Sequence, residues 1–406
     1  MCNLKGGIVF IVVFLASSAW SMGNDLPLNH SKIQFLSLLD QAANPSLVYN
    51  NEGITPTEGG NLYISAVLLE RIDRWEVMLE PLIVVGETTT LHKGYLRYHG
   101  DSLNIELGRN SLWWGQGVHG SLLLSNNAAP LNLVRLYHPK PTVLPGVLRV
   151  LGPFQLDLFM SQLEEERVVV PKPFFQGTRF YLKPHSMLEL GLTRTIILGG
   201  EGRPSVTPSR FLDIWFGENK EGAGVDLSNS IGGFDVNLIF SEARFYMEFG
   251  GEDEAGYFPS KEAYLYGASF PEGGLLDNDF RIEYADITDP SWYVHSLYQS
   301  GYTYKKRILG HHVGRGGRDL YLEHGILNQA NKRGKITFDY EERGVGVESV
   351  TERHYQVGTD WEFKMGRTTP WTIQTGFLYE WVKNVEYRDG FNQDNALATV
   401  SFIGQM

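Results

Sequence analysis

Segments of about ten residues in which apolar and polar side chains alternate recur along most of this chain. In "FQLDLFMSQ", Phe154, Leu156 and Leu158 fall on one face, and Gln155 and Asp157 fall on the other. Because successive side chains of a β-strand point to opposite faces, each segment predicts a strand with one apolar face. We count roughly 16 to 18 such segments, whereas open soluble sheets split into packed pairs near about ten strands.

The polar faces of these predicted strands carry charges in mid-strand. Five such residues are Asp157, Arg281, Glu283, Asp339 and Glu380. Burial in a small soluble barrel would cost several kcal/mol for each charge, whereas a wide, water-filled interior would tolerate them. Outer-membrane barrels combine apolar outward faces, polar inward faces and aromatic girdles, and aromatic residues make up 13% of this chain. We therefore predict an all-β fold, a transmembrane antiparallel β-barrel with long extracellular loops.

The N-terminus is typical of a secretory signal peptide. Residues 1–21 contain Lys5 near the start, the short apolar run Ile8–Ala16, and small residues at the expected cleavage site. The apolar run is shorter than the roughly 20 residues that a membrane-spanning helix needs. Cys2, the only cysteine, lies in this segment, so disulfides and thiolate chemistry are excluded from the mature chain. These features predict export to the bacterial outer membrane.

One stretch after the signal peptide predicts a helix. In Ser31–Ala43, Ser31 can cap the helix N-terminus, and later apolar residues share a helical face. We expect this helix to lie in a periplasmic segment, residues 22–60, as a plug of the barrel mouth or as a simple spacer. The barrel itself is then expected to occupy residues 61–406.

Charge and loop lengths restrict the function further. The formal charge of −12 argues against nucleic acid as a partner, because phosphate binding needs a basic surface. Long polar links are expected on the extracellular side, where ordered loops commonly carry function. These links are residues 109–147, 199–230, 251–261, 286–300 and 308–317.

Several blocks of sequence resemble a known family. In chain order they are "GRNSLWWGQGVHGSLLLSNNAAPL", "LFMSQLEEER", "LELGLTRT" followed by "GGEGRP", "EFGGEDEAGYFPSK", "RIEYADI" and "YQSGYTYKKRILGHH". Over about residues 90 to 330 the chain resembles the capsule assembly Wzi family of outer-membrane proteins. The resemblance implies a closed, monomeric barrel in outer-membrane lipid and lipopolysaccharide. It also implies a surface lectin that tethers capsular polysaccharide or exopolysaccharide without catalysis.

The opening block has the chemistry that a sugar site needs, because sugars present hydroxyls on their edges and C–H groups on their faces. Flat aromatics can stack on the faces, and amides or charged groups can bind the edges or a uronic carboxylate. The candidate polysaccharide-binding residues are Arg109, Trp113, Trp114, Gln116, Asn126, Asn127, Glu201 and Arg203. Alternatively, the tryptophans belong to an interface belt and the amides satisfy loop backbone.

The acidic turn "GGEDEAG" is a candidate cation site. Glu252, Asp253 and Glu254 could hold a divalent cation such as calcium, which prefers oxygen ligands, and this cation could bridge an anionic polymer. A solvated acidic loop is the alternative, and no other cofactor is expected. The adjacent His311 and His312 are weak evidence for a metal, because neighbours in a strand point in opposite directions.

Three functions remain open at this point. The first is a polysaccharide-binding surface lectin, and the second is a porin-like channel for sugars or anions. The third, an outer-membrane glycan hydrolase, has the least support, because the sequence has no recognisable nucleophile or metal motif. Loops packed across the lumen would favour the lectin, and an open lumen would favour the channel.

Overall fold

A computed structural model describes residues 28–38, 48–57, 59–86, 89–215, 220–221, 225–255, 258–271, 279–329, 331–365 and 371–404. Within these residues the fold is almost entirely antiparallel β. The main strands are β1 (Leu28–Leu38), β2 (Gly59–Ile72), β3 (Trp75–Val84), β4 (Thr89–His99), β5 (Asn104–Asn110), β6 (Leu131–Tyr137), β7 (Pro153–Gln162), β8 (Phe174–His185), β9 (Leu188–Leu198), β10 (Ser228–Ile239), β11 (Arg244–Ala255), β12 (Phe258–Phe270), β13 (Phe280–Ile287), β14 (Gly317–Gln329), β15 (Lys332–Arg343), β16 (Glu352–Met365), β17 (Trp371–Lys383) and β18 (Gln393–Gly404).

The main strands form a closed cylinder. The described sheet contains 19 strands, one of which is the two-residue segment Thr142–Val143, and the remaining 18 pair in chain order. The last strand, β18, pairs with β1, so that Phe402 faces Ile33 across the closure. Closure leaves the described main strands without an edge of unpaired backbone groups, which is the requirement for a sheet that crosses a membrane. The predicted barrel of 16 to 18 strands is confirmed.

The predicted N-terminal helix is wrong within the described residues, because Leu28–Leu38 forms strand β1. Gln34 of this strand pairs with Tyr63 on one side and with Ser401 on the other. Only Lys32–Phe35 of this strand alternates between polar and apolar residues, and closing the cylinder satisfies the edges of both neighbouring strands. Strand β1 therefore belongs to the barrel, which was expected to start only at residue 61. The signal-peptide prediction lies outside the described residues.

The two faces of the wall differ as the alternation predicts. Ile336, Val357 and Phe377 are 45%, 52% and 47% exposed on the outside of the barrel. Asp339 and Glu380 lie three residues along the strands from Ile336 and Phe377, on the opposite face, and both are buried. The outward apolar surface matches a lipid environment, and the charged side chains line the interior.

The two ends of the barrel also differ. At one end, which we call the turn end, the connections are mostly short, for example residues 73–74 and 186–187. The other end, the loop end, carries the long connections 111–130, 199–227 and 288–316. Strand β6 lies inside residues 109–147, which were predicted to be one long link. Its seven residues are too few for the alternation of apolar and polar side chains to be recognised in the sequence.

Only short helices occur among the described residues. One α-helix, Pro208–Trp215, lies in a loop-end connection, and 3-10 turns cover Gly146–Leu151 and Val385–Tyr387. Two-residue strands pair as Lys220–Glu221 with Val225–Asp226, and as Thr303–Tyr304 with Arg307–Ile308. In this part of the chain no helix is both long and apolar enough to cross a membrane.

Candidate functional site

The connection between β5 and β6, residues 111–130, folds back into the lumen, and we call it the plug loop. It contains only an isolated bridge between Trp114 and Leu124. Ser121, Leu122 and Leu124 of this loop are 0 to 1% exposed. An irregular segment this deeply buried needs hydrogen-bond partners for its backbone N–H groups, because an unsatisfied buried group is costly.

Glu248 on β11 supplies the first set of partners. Its Oε1 accepts the N–H groups of Gln116 at 2.7 Å and Gly117 at 2.8 Å, and its Oε2 accepts that of Leu122 at 2.9 Å. Ser121 donates its hydroxyl to Trp114 O at 2.6 Å, and its Oγ lies 3.2 Å from Oε2. One carboxylate on the wall thus holds both limbs of a turn in the plug loop.

Glu283 on β13 holds the tip of the same turn. It accepts the consecutive N–H groups of Val118 at 2.8 Å, His119 at 3.1 Å and Gly120 at 3.0 Å. Glu283 is only 2% exposed. The water-filled interior expected around the mid-strand charges is therefore wrong at this position, because backbone amides of the plug loop replace water as partners.

The connection from β13 to β14, residues 288–316, packs on the plug loop, and we call it the cover loop. Tyr302 donates its hydroxyl to Leu123 O at 2.6 Å, and Ser125 donates to Gly310 O at 2.6 Å. Tyr293 Oη donates to Leu122 O. These contacts join the two loops into one body with an aromatic and aliphatic core. Within the described residues the lumen is thus filled at mid-height.

The segment 48–57 attaches to this body and to the wall. Glu52 donates its N–H to Asn126 O at 2.7 Å, and its carboxylate contacts His92 at 2.8 Å and Lys93 at 2.9 Å. Burial raises the pKa of Glu52, but the hydrogen bonds and charges of His92 and Lys93 outweigh burial and lower that pKa to about 2. The carboxylate therefore stays charged and anchors the segment at neutral pH.

Three predicted sugar-binding residues are interior parts of the plug loop. Trp114 donates its indole N–H to Asp157 at 3.2 Å, Gln116 donates to Asp235 at 2.7 Å, and Asn127 donates to Ile308 O at 3.1 Å. All three are less than 9% exposed. Their observed contacts hold the loop in place, and Asn127 satisfies loop backbone as the alternative interpretation expects, whereas Gln116 binds a wall carboxylate.

Trp113 is half-buried and, with Trp114, lines a cavity of about 420 Å³. The lining also includes charged and aromatic side chains, among them Arg135, Asp157 and Tyr181. His138 follows β6 at the turn end, so this cavity lies on the turn-end side of the plug loop. Residues 109–147 were expected to form an extracellular link, but the plug loop turns down into the barrel and carries both tryptophans with it. Their contact with sugar stays a prediction.

The remaining predicted residues are dispersed. Arg109 lies at the loop-end terminus of β5 and donates to Asn132 Oδ1 and Leu91 O, both at 2.9 Å. Asn126 is half-buried beside the segment 48–57. Glu201 is exposed at the loop end and pairs with Lys172 at 2.9 Å. Arg203 is half-buried two residues further on. The eight predicted residues therefore do not form one site.

The predicted calcium site is described only in part. Glu252 is fully buried and accepts the N–H of Tyr293 at 2.9 Å, which links β11 to the cover loop. The side chains of Asp253 and Glu254 lie outside the described residues. These residues lie in strand β11 rather than in the expected turn and long link 251–261, and a calcium bridge at this position stays a prediction.

A second group of potential metal ligands lies deep in the lumen. His119 of the plug loop and His312 of the cover loop meet Asp319 of β14 and Asp339 of β15. His311 and His312 do not point in opposite directions as neighbours in a strand would. They lie in the cover loop, and their ring centroids are 4.5 Å apart in a stacked arrangement. The sequence could not indicate this group, since its members come from four separate segments.

One exposed loop-end connection has aromatic character. In residues 384–392, Tyr387 and Phe391 are 37% and 51% exposed. Arg388 pairs with Glu386 at 2.7 Å beside them. Aromatic rings next to a charged pair are the combination that a sugar surface needs, and sequence analysis did not single out this loop.

The closed strand order, the apolar outer face and the charged, filled interior define an outer-membrane β-barrel. The sequence profile of the family described as capsule assembly protein Wzi matches residues 31–397. The chain therefore belongs to this family, and the resemblance seen in the sequence is confirmed.

Comparisons with individual proteins agree with this family. An uncharacterized 55.8 kDa protein in the cps region of Klebsiella pneumoniae is 33% identical over 171 residues, which are 40% of this chain. The matched region spans 33% of that relative's length. The structure of Wzi from Escherichia coli superposes with a TM-score of 0.73 at 20% identity, covering 94% of this chain and 85% of that chain. That protein is described as an outer-membrane protein involved in group 1 capsule assembly and as a carbohydrate-binding β-barrel.

A second solved structure has a similar fold at lower similarity. OccK10 (OpdN) from Pseudomonas aeruginosa superposes with a TM-score of 0.52 at 7% identity, covering 93% of this chain and 99% of that chain. At this identity the likeness shows the fold alone. The contents of the lumen must therefore distinguish a binding protein from a channel.

Proposed function

We propose that this protein binds capsular or extracellular polysaccharide and holds it at the outer surface of the cell without catalysis. The observation that carries the proposal is the filled lumen. The wall carboxylates Glu248 and Glu283 together accept six backbone N–H groups of the plug loop, and the cover loop packs above it. A channel needs a continuous water path, and this arrangement favours a binding protein over the porin-like alternative.

The loop end is the surface that faces the medium, because the long connections of outer-membrane barrels are extracellular. The proposal assigns direct polymer contact to residues 384–392. Tyr387 and Phe391 would stack on sugar faces, and Arg388 with Glu386 would bind hydroxyl or carboxylate groups. Glu201 with Lys172 offers a second exposed charged pair at this end.

Backbone geometry supports a functional role for this loop. Asn384, Glu386 and Tyr387 have φ angles of 58°, 53° and 62°, in the left-handed region that side chains other than glycine rarely adopt. Each such conformation costs of order 1 to 3 kcal/mol, and strained residues cluster at binding sites.

Weak contacts are sufficient for such a role. A polymer presents the same unit many times, and linked contacts raise the effective concentration of the next unit. We further propose that the protein acts as a monomer surrounded by outer-membrane lipid and lipopolysaccharide. The exposed apolar residues around the barrel form the lipid contact.

The cavity beside Trp113 is a second candidate sugar site. Its volume of about 420 Å³ and its mixture of indole, phenol, guanidinium and carboxylate groups fit one or a few sugar units. A sugar would enter from the turn end, so this site would serve glycan on the periplasmic side.

The experiment is a comparison of polymer attachment in cells that lack this gene. Cells with the wild-type gene restored should keep polysaccharide attached, and cells with the Tyr387→Ala, Phe391→Ala variant should shed a large fraction of it into the medium. The matched control is Val147→Ala, an 87% exposed apolar residue in a turn-end connection. Equal retention by the folded loop variant and the control would remove residues 384–392 from the proposal. Equal retention without the gene would remove the function itself.

A further inference from the structure

The histidine and aspartate group in the lumen joins three separate parts of the molecule. Ligand atoms of His119, His312, Asp319 and Asp339 all lie within 4.8 Å of one another. The two histidines come from the plug loop and the cover loop, and the two aspartates come from the wall. We propose that this group binds a divalent transition metal, zinc in the first instance, which fastens both loops to the barrel.

Three of the separations between ligand atoms match four-coordinate geometry. His119 Nε2 lies 3.1 Å from Asp339 Oδ2 and 3.3 Å from Asp319 Oδ2, and His312 Nε2 lies 3.1 Å from Asp319 Oδ2. A tetrahedral zinc with ligand bonds of about 2.0 to 2.1 Å separates neighbouring ligand atoms by about 3.3 Å. Two imidazoles and two carboxylates suit zinc and similar metals better than calcium, which prefers oxygen ligands only.

Several polar atoms of the group have no hydrogen-bond partner among the described residues. They include Asp319 Oδ1, Asp339 Oδ1 and His312 Nδ1, whereas His312 Nε2 and Asp319 Oδ2 lie 3.1 Å apart and form an ion pair if the imidazole is protonated. All three residues are at most 7% exposed. Most buried polar atoms in proteins are hydrogen-bonded, so a concentration of unpartnered nitrogen and oxygen at one point indicates a ligand that both can bind. A cation is such a ligand.

The local charge also favours a divalent cation. Asp319, Asp339 and Glu341 place three carboxylates at this point, and Glu341 is paired with the guanidinium of Arg343 at 2.7 Å. Two negative charges remain if both histidines are neutral, which is the state that binds a metal. A divalent cation balances these charges, whereas an uncompensated pair of buried carboxylates is costly.

Aromatic rings fix the orientation of both histidines. Tyr49 stacks on His312, and Tyr321 stacks on His119, each with ring centroids 3.8 Å apart. The Tyr49 hydroxyl also donates to Asp339 Oδ2 at 2.6 Å. Neighbours that hold ligands in position are typical of metal sites, because they reduce the entropy that binding must overcome.

The test measures zinc directly and does not depend on polysaccharide binding. The full-length protein, folded in detergent without a polyhistidine tag, is treated with EDTA, supplied with Zn²⁺ and freed of excess metal. Elemental analysis should find about one zinc per chain in the wild type. The folded variants His312→Gln and Asp319→Asn should hold at least tenfold less. His324→Gln, a change on the same strand as Asp319 but outside the group, should bind zinc as the wild type does.

A spectroscopic measurement on the unmodified protein keeps the test decisive if the variants fail to fold. Co²⁺ added in place of Zn²⁺ should give the intense visible absorption of a four-coordinate site with nitrogen and oxygen ligands. A folded wild-type protein without retained zinc and without this absorption would overturn the proposal. Full zinc retention in folded His312→Gln would overturn it as well.

Discussion

Leu122 in the plug loop donates its backbone N–H to Glu248 Oε2 on the barrel wall at 2.9 Å. This bond ties a 0% exposed apolar residue to a 2% exposed carboxylate. The pairing explains how an irregular loop can lie inside a barrel, because wall carboxylates replace the water that its amides would otherwise bind. It also explains why charges occur at mid-strand in a lumen that is not open.

Replacing Glu283 tests this support. Glu283→Gln places an amide donor against three backbone donors, so at least one N–H loses its acceptor. We expect a loss of about 1 to 3 kcal/mol for each unsatisfied buried group. The measurement is the temperature at which the folded form disappears on a gel run without boiling, together with protease cleavage of the plug loop. Glu323→Gln is the control, since Glu323 pairs with Arg281 and Lys335 on the wall. Equal loss in both variants would contradict the assigned role.

The lowered pKa of Glu52 predicts that the stability of the folded protein falls at acid pH. Its pKa is about 2 in the folded protein, below the ordinary value of 4.5, so its contribution is full above about pH 4.5. The contribution is lost as the pH falls through 2, and its upper limit is about 3 kcal/mol. Glu52→Gln should therefore lower the unfolding temperature at pH 6, and the difference from the wild type should disappear near pH 2. A difference that is constant over this range would contradict the ion pair with Lys93.

Trp113 and Trp114 should respond differently to replacement. Trp114 is 4% exposed and packs on Phe159 with ring centroids 5.1 Å apart, so Trp114→Ala should cost about 3 to 5 kcal/mol of stability. Trp113 is half-buried at the cavity, and Trp113→Ala should change stability much less.

The Trp113→Ala variant also tests whether the cavity is a sugar site. Binding of short capsule oligosaccharides to purified Trp113→Ala should weaken about tenfold, which corresponds to about 1.4 kcal/mol. Cell-surface retention should not change, because the cavity lies on the turn-end side of the plug loop. Unchanged oligosaccharide affinity would remove the cavity from the proposal.

Much of the wall could be predicted from the sequence, because the alternation within each strand separates its lipid-facing residues from its lumen-facing residues. The alternation around Asp339 and Glu380 gave the lumen side correctly, and it needed no knowledge of neighbouring strands. Strand β1 was mistaken for a helix, because its pairing with β18 joins opposite ends of the chain and leaves no local signal.

For the interior, the sequence indicated which residue types are present but not which residues contact one another. The opening block was correctly singled out as unusual, but its amide and indole groups serve the plug loop. Meeting points such as Glu248 with Leu122, or His119 with His312, join residues far apart in sequence. The loop around Tyr387 was missed because left-handed backbone at residues other than glycine has no reliable sequence signature.

The most direct test of the closed, polymer-binding barrel is the conductance of the purified protein in a planar lipid bilayer. The hydrogen bonds of Glu248 and Glu283 predict that the wild type inserts without stable conductance steps. Replacing residues 111–130 by a short glycine and serine linker should produce open-channel steps under the same conditions. Stable porin-like steps from the wild-type protein would contradict a lumen closed by the plug loop, and would favour the channel over the lectin.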